Sequence, residues 1–225
     1  MKTTIFMGLI SVAAVAFTAC GQPAGNSNSM NHNAMMRNSN SPMNMNNMDH
    51  SSMPMNSNMP MDHSQMKSDP NAASQPYDLQ FIDTMTAHHQ SAIDMAKMVD
   101  GRTQNPDLEK FAAEIIGDQE KEIDQLKSWR DNWYAGKPSA INMEIPGMAD
   151  SMKMDMPKLT NSKDREFDLA FVEMMTAHHA DAVTMAKEAL TKAEHEEIKA
   201  LSNQIIKAQD AEIQMMADWK AKWSK

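Results

Sequence analysis

Three short segments near the start of the chain place a histidine between two methionines. They read M-x-H-x-x-M at residues 30–35, 48–53 and 61–66, and they hold every histidine that precedes His88. Thioether sulfur is a soft, uncharged ligand that selects Cu(I), and imidazole binds copper in general. The pattern therefore predicts copper sites, unless it is coincidental spacing in a low-complexity spacer. The candidate ligands are Met30, His32, Met35, Met48, His50, Met53, Met61, His63 and Met66.

A second motif, M-T-A-H-H-x-x-A-x-x-M-A-K, occurs at residues 85–97 and again at 175–187. On a helix, Met85, either His88 or His89, and Met95 lie close to one face. Adjacent residues are ~100° apart, so one histidine faces the neighbouring helices and the other lies toward the flank. A methionine stripe is more often packing, but paired histidines are poor core residues. We expect at least one histidine of each pair to bind metal.

The region after residue 77 is an internal repeat. The segment 81–89 recurs as 171–179, and the same offset of 90 residues relates Trp129 to Trp219 and Trp133 to Trp223. A constant offset over more than fifty residues indicates two duplicated units, 78–133 and 168–223.

Each unit has the pattern of a helical hairpin. Gly101 ends the first helix, and Asn105-Pro106 supplies an N-cap and a first-turn proline for the second. Thr191 and Glu194 resemble a capping box that opens the last helix. Residues 134–163 form a methionine-rich crossover between the units. We predict an all-α domain at 78–223, a four-helix bundle built from two duplicated hairpins.

The first nineteen residues have the pattern of an export signal. Lys2 precedes an apolar run from Ile5 to Phe17, which is shorter than the ~20 residues that span a bilayer. Cys20 is the only cysteine, and its position resembles a bacterial lipobox, in which the cysteine is lipidated. The alternative is an ordinary secretory signal with an incidental cysteine. We expect an exported protein in the periplasm or outer membrane, anchored to the membrane through Cys20.

The segment 20–77 is dominated by Asn, Ser, Met, Pro and His. It holds too little apolar surface to offset the ordering entropy of ~1–2 kcal/mol per residue, so it predicts a disordered, methionine-rich arm. The whole chain carries 26 methionines and a net charge of −9. With no basic stripe, this composition argues against nucleic acid as a partner and suits cations.

The segment F-I-D-x-M-x-x-H-H-x-x-A-I-x-M-A, at 81–96 and in closely similar form at 171–186, resembles the domain-of-unknown-function family 305. That family includes methionine- and histidine-rich copper-binding proteins of the bacterial envelope. The resemblance covers about 78–223 and implies a ferritin-like four-helix bundle with a role in copper binding or tolerance. Carried over by position, the implied ligands are Met85, His88, His89, Met95, Met175, His178, His179 and Met185.

These features predict a copper-binding protein rather than an enzyme, holding Cu(I) in preference to Cu(II), with Ag(I) as a second candidate. Its partners would be a copper exporter or another envelope copper protein. One alternative is a methionine-rich oxidant scavenger or structural protein, which explains the methionine count but not the M-x-H-x-x-M phasing. Another is a metal-dependent oxidase of ferritin-like type. That site needs Glu-x-x-His, which neither helical motif contains.

Overall fold

The computed structural model describes residues 63–225, and within that range every regular element is a helix. The elements are two 3-10 turns, His63–Gln65 and Ala72–Ser74, followed by α1 (Tyr77–Lys97), α2 (Pro106–Tyr134), α3 (Met148–Ser151), α4 (Met156–Asn161), α5 (Asp164–Lys192) and α6 (Glu196–Trp223). The predicted all-α class is confirmed for these residues. The export signal, Cys20, the first two M-x-H-x-x-M copies and Met61 lie outside the described residues.

The four long helices pack as two hairpins that meet through their first members. Helix α1 packs along α2, α5 packs along α6, and α1 contacts α5. At one end, the ring of Phe111 on α2 meets the ring of Trp219 on α6 edge-on, with centroids 5.3 Å apart. The short helices of the crossover lie on this framework, α3 against α5 and α1, and α4 against α5. No helix in the described range is both long and apolar enough to cross a membrane.

The start of α2 is built as the sequence predicts. The Asn105 side chain accepts a hydrogen bond from the Asp107 amide at 3.1 Å, and Pro106 occupies the first turn. The Asn105 side chain thus satisfies one of the free backbone amides at the helix start. Pro106 has no amide hydrogen, so it leaves no unsatisfied donor in the first turn.

The predicted capping box at the start of α6 is wrong. Helix α5 continues to Lys192, and the Thr191 hydroxyl donates to the Glu188 carbonyl instead. The Asp78 carboxylate, at the start of α1, accepts hydrogen bonds from the amides of Glu194 and His195, each at 2.9 Å. A carboxylate from another helix therefore does the capping that the local sequence was expected to do.

The core consists of two apolar clusters with a polar layer between them. One, the Phe111 cluster, contains Met95 and Met175. The other, the Phe81 cluster, contains Met85 and Met185. Because Met85 shares a cluster with the late methionine of α5, and Met95 shares one with the early methionine, α1 and α5 run in opposite directions. The polar layer lies where 88–91 of α1 meets 178–181 of α5, with 119–122 of α2 and 209–212 of α6 beside them.

The packed region begins before Asp78, where the sequence placed the end of a disordered arm. The Asp69 carboxylate accepts hydrogen bonds from the Ser139 hydroxyl at 2.6 Å and from the Ile141 amide at 2.8 Å. The Met143 amide donates to the Ser68 hydroxyl. Residues 63–76 are thus held by polar contacts to the crossover. Apolar composition cannot reveal contacts of this kind, because both partners are polar and far apart in sequence.

The crossover approaches α5 closely at Gly147. This residue has φ +96°, and a Cβ added there would lie 2.5 Å from the carbonyl oxygen of Asp181. Only glycine fits this backbone conformation and this distance without displacement. The contact fixes α3 against the middle of α5, beside the polar layer.

Candidate metal centre

Both histidines of each duplicated pair are buried, which corrects the expectation that one of each pair would lie toward the flank. His88, His89, His178 and His179 are at most 1% exposed. The rings of His88 and His178 face each other across the α1–α5 contact, with centroids 3.8 Å apart. His89 approaches α2 and His179 approaches α6. Each pair is enclosed because its two rings meet two different neighbouring helices.

Ser151 of the crossover fixes the ring of His88. Its hydroxyl lies 2.9 Å from His88 Nε2 and donates to the Asp181 carboxylate, also at 2.9 Å. A hydroxyl has one proton to donate, so it accepts the hydrogen bond from the ring. The network therefore assigns the proton of His88 to Nε2 and leaves Nδ1 with a free lone pair.

Ser91 does the same for His178. Its hydroxyl donates to the His88 carbonyl and lies 2.7 Å from His178 Nε2. It must accept from the ring, because its own proton is already used. His178 is therefore also protonated on Nε2, and its Nδ1 carries the lone pair.

The second histidine of each pair lies against a glutamate. His89 Nε2 is 2.7 Å from the Glu122 carboxylate, and His179 Nε2 is 2.8 Å from that of Glu212. Neither contact has the geometry of a hydrogen bond, so both ring nitrogens of both residues lack a hydrogen-bonding partner within residues 63–225. Glu122 and Glu212 are related by the same 90-residue offset as the histidines that they contact.

The polar layer collects nearly all the buried side-chain polar atoms of the described region that have no hydrogen-bond partner. Nine of these eleven atoms belong to it: His88 Nδ1, His89 Nδ1 and Nε2, His178 Nδ1, His179 Nδ1 and Nε2, Gln119 Oε1, Glu122 Oε2 and Gln209 Oε1. Buried polar atoms are rarely left without partners, since each costs ~1–3 kcal/mol. Three of the nine belong to the close histidine–glutamate contacts, which leaves the four Nδ1 atoms and the two glutamine oxygens without any partner among the described residues.

Burial keeps the two facing rings neutral. It lowers the pKa of His88 and of His178 well below the ordinary value of 6.5, and neighbouring histidines add to the effect. Burial also raises the pKa of the Asp181 carboxyl, while its hydrogen bond from Ser151 opposes that shift. A neutral imidazole with a free nitrogen is the form that binds a metal ion.

The candidate methionines flank this layer on both sides. Met85, Met95, Met175 and Met185 are all 0% exposed. Met85 and Met95 lie three residues before and seven after His88, on one stripe of α1. The equivalent stripe on α5 runs the opposite way. Within the described residues, no three His, Cys, Asp or Glu side chains converge as a metal site, so soft sulfur ligands would have to complete one.

Only two of the candidate ligands in the arm fall within the described residues. His63 is 8% exposed and lies 3.0 Å from the Asp94 carboxylate on α1. Met66 packs against the Phe81 cluster. The described part of the third M-x-H-x-x-M copy, His63 to Met66, therefore packs on the helices, and His63 contributes to the lowered pKa of His178. The other arm residues lie outside the described part of the chain.

Sequence reasoning missed the residues that hold the facing rings. Ser91 lies within the duplicated motif, but its counterpart in the second unit is Asp181, so duplication gave no signal. Ser151 lies in the crossover, 63 positions from the histidine it contacts. A motif search has no access to a contact over that distance.

Comparisons with known proteins agree with the helical fold. The family model DUF305, described as a domain of unknown function, matches residues 18–130 and 78–220. Structures of CopM in its Cu(I)-bound and Cu(II)-bound forms are 37% and 38% identical to this chain, with TM-scores of 0.56 and 0.57. They cover 66% and 65% of this chain and 98% and 97% of CopM. CopM is also known in an Ag-bound form.

Two further relatives are more distant or shorter matches. A DUF305 protein from Streptomyces coelicolor, described as secreted, is 28% identical with a TM-score of 0.59, over 69% of this chain and 95% of that one. An uncharacterised protein of Acanthamoeba polyphaga mimivirus is 37% identical over 51 residues, which are 23% of this chain. The match spans only 34% of the viral protein. With the family model matching most of its length, the chain belongs to the DUF305 family.

Proposed function

We propose that the protein is an exported copper-binding protein of the bacterial envelope, which holds Cu(I) in preference to Cu(II) and serves copper buffering, transfer or resistance. It acts as a binding protein and not as an enzyme. The ion is its cargo, and Ag(I) is a second ion that the same donors suit.

The observation that carries this proposal is the pair of facing rings. His88 and His178 are both buried, both neutral and both fixed by a serine through Nε2. Each keeps an Nδ1 lone pair that has no partner among the described residues. Ligating histidines are commonly oriented in this way, with the second nitrogen hydrogen-bonded to hold the ring.

The preference for Cu(I) rests on the ligands that flank the rings. Besides His89 and His179, the candidate donors along α1 and α5 are the methionines that flank the layer, and thioethers are soft ligands that favour Cu(I). The polar layer contains no cysteine, because the only one in the chain is Cys20. The likeness to CopM, whose structures hold Cu(I), Cu(II) and Ag, supports a soft-metal cargo without deciding the oxidation state.

The remaining parts of the proposal rest on the sequence pattern. Residues 1–19 direct export, Cys20 anchors the protein by a lipid, and a copper exporter or another envelope copper protein receives the ion. We also infer that residues 78–133 and 168–223 are duplicated copies and that the four long helices form a ferritin-like four-helix bundle. A role in scavenging oxidants fits the helices poorly, because the methionines that flank the layer are fully buried.

The test is anaerobic Cu(I) titration of the mature protein against a calibrated competing chelator. The variant changes His88, His89, His178 and His179 to Gln, which removes every imidazole of the layer. The matched control is His195→Gln, because this histidine lies outside the layer and stacks on Trp133. Circular dichroism confirms that both variants keep their helices.

We expect the fourfold variant to lose at least one tightly bound ion while the control binds as the wild type does. If the fourfold variant binds as many ions with the same affinity, the histidine layer is structural. Copper binding would then remain proposed only for the M-x-H-x-x-M segments of the arm.

A further inference from the structure

A surface cavity of about 390 Å³ lies where the segment after His63 meets the crossover. Three methionines from separate stretches of the chain line it: Met66, Met143 and Met152. Met66 follows the first 3-10 turn, Met143 precedes α3, and Met152 follows α3 directly. Chain segments that are distant in sequence thus bring three thioethers to one cavity.

The three side chains differ in exposure in a way that suits a site open to solvent. Met152 is 3% exposed and belongs to the Phe81 cluster. Met66 and Met143 are half-buried and pack against the same cluster. The wall is therefore anchored in the core, while two of its sulfur-bearing side chains reach the surface.

Hydrogen bonds of the docked segment hold the cavity together. The Met143 amide donates to Ser68, two residues after Met66, at 2.9 Å. The Asp69 carboxylate accepts from the crossover amide of Ile141. These contacts hold the segment of Met66 beside that of Met143, although the two residues are 77 positions apart in sequence. Met66 and Met143 are thus brought together by the protein's own hydrogen bonds, and Met152 joins them as part of the Phe81 cluster.

The charges around the cavity do not favour a hard cation. Its other charged lining residues are Glu144, Lys67 and Lys153. Lys153 pairs with Asp150 at 3.0 Å. Calcium and magnesium require several oxygen ligands, and one carboxylate beside two lysines does not supply them. The thioethers are the donors that the cavity offers in number, and they select soft ions.

The cavity is also joined to the histidine layer through α3. Met152 is adjacent in sequence to Ser151, whose hydroxyl contacts His88 Nε2 at 2.9 Å. The layer itself is buried, so an ion must reach it from a neighbouring surface. The cavity is lined by Ala149 of α3 and by Met152 directly after it, and Ser151 of the same helix contacts His88.

We propose that Met66, Met143 and Met152 form a thioether site for Cu(I) or Ag(I) at the surface, separate from the histidine layer. This thioether site captures the ion before the ion enters the layer. This deepens the proposed function and rests on it for the role of the captured ion. The site itself is testable independently of the histidines.

The probe is Ag(I), added to the mature full-length protein carrying ¹³C-methyl methionine and followed by NMR. The test variant changes Met66, Met143 and Met152 to Leu, a swap that nearly conserves volume and costs less than ~1.5 kcal/mol at each site. The matched control changes Met148, Met154 and Met156 to Leu. It removes the same number of methionines from or next to α3 and α4, and none of them lines the cavity.

We expect the methyl signals of the three cavity methionines to shift together at the first equivalents of silver. The test variant should bind one silver ion fewer than the wild type, while the control binds the same number. Equal stoichiometry and affinity in the test variant and the control would overturn the proposal, as would silver shifts that bypass these three signals.

The fourfold histidine variant separates the two proposals. If it keeps the cavity shifts but loses other bound ions, both sites exist. If it loses nothing while the cavity variant loses an ion, the histidine layer fails and the cavity stands. If the cavity variant loses nothing while the histidine variant does, the proposed function stands and the cavity site is wrong.

Discussion

The two helical units agree at their histidines and differ at the groups that hold them. In each unit the second histidine lies against a glutamate of the following helix, at 2.7 Å for Glu122 and 2.8 Å for Glu212. In each unit the first histidine meets its counterpart at the centre. The approximate twofold relation thus extends to the rings and to their glutamates.

The relation ends one turn further along. Position 91 is a serine that contacts the opposite histidine directly, whereas the equivalent Asp181 reaches His88 only through Ser151. Both arrangements leave Nδ1 free and put the proton on Nε2. The two units therefore share a histidine with a free Nδ1, but they differ in the side chains that orient its ring.

The largest expected effect comes from the shared feature. His88→Gln and His178→Gln, made singly, should each weaken Cu(I) binding at the layer by more than about 100-fold. Losing a ligand costs more than losing its hydrogen-bonding partner, which costs roughly 10–100-fold. Competition titration of both variants measures this. A large loss in one variant and none in the other would break the equivalence of the two units.

Gly147→Ala tests the contact that holds the crossover against the second unit. The new methyl group would meet the Asp181 carbonyl, and the residue would have to keep a positive φ. We expect the free energy of unfolding to fall by about 2–4 kcal/mol, from strain and overpacking together. Gly136→Ala is the control, because it has φ +73° but nothing within 4 Å of the added Cβ. Chemical denaturation should show that Gly136→Ala lowers the free energy of unfolding by only about 1 kcal/mol. Equal losses of stability in the two variants would mean that the crossover is not packed tightly against Asp181.

The pH dependence of the metal-free protein tests whether both facing rings are neutral. Burial lowers the pKa of His88 and of His178, so below about pH 6.5 the unfolded chain binds protons that the folded chain does not. The free energy of unfolding should therefore fall with decreasing pH, by up to ~1.4 kcal/mol per pH unit for each ring. Denaturation curves between pH 7.5 and about 5 measure the slope.

Other titratable groups surround the two rings, so the slope needs a control. They are His89, His179, His63 and Asp181. The double variant His88→Gln with His178→Gln keeps them all. The free energy of unfolding of this variant should change less steeply with pH, because the two imidazoles that take up protons on unfolding are gone. An unchanged slope would show that other groups cause the pH dependence.

The smallest effect separates the two means of holding the rings. Ser151→Ala removes the side-chain partner of His88 and a hydrogen bond to the Asp181 carboxylate, whereas Ser91→Ala removes the side-chain partner of His178 and a hydrogen bond to the neutral His88 carbonyl. We expect a loss of stability of about 1–2 kcal/mol for Ser151→Ala and about 1 kcal/mol for Ser91→Ala. Thermal or chemical denaturation of the two variants measures the difference. A larger loss of stability for Ser91→Ala would contradict the expectation that the Ser151 contacts contribute more than those of Ser91.

Local sequence patterns predict three features: the helical class, the start of α2 and the metal-binding candidates in the two motifs. The 90-residue offset identified the two histidine pairs because duplication copies positions, but it did not show which ring of each pair meets the other at the centre. Three features were beyond it: the proton on Nε2, the docking of residues 63–76 and the contact of Ser151 with His88. Each depends on a polar contact across dozens of residues, for which periodicity gives no signal.

The hydrogen bonds from the Glu194 and His195 amides to Asp78 bear on whether half of this protein could exist alone. Asp78 lies in the first unit, and the amides that it satisfies begin the last helix of the second. A fragment consisting of one unit could pair with a second copy of itself around the facing histidines. In a pair of second units, Asp168 lies at the position equivalent to Asp78 and would be the carboxylate available to these amides. As a monomer, the second unit has no such partner, so its final helix should begin with frayed turns and exchange its amide hydrogens faster than in the intact chain.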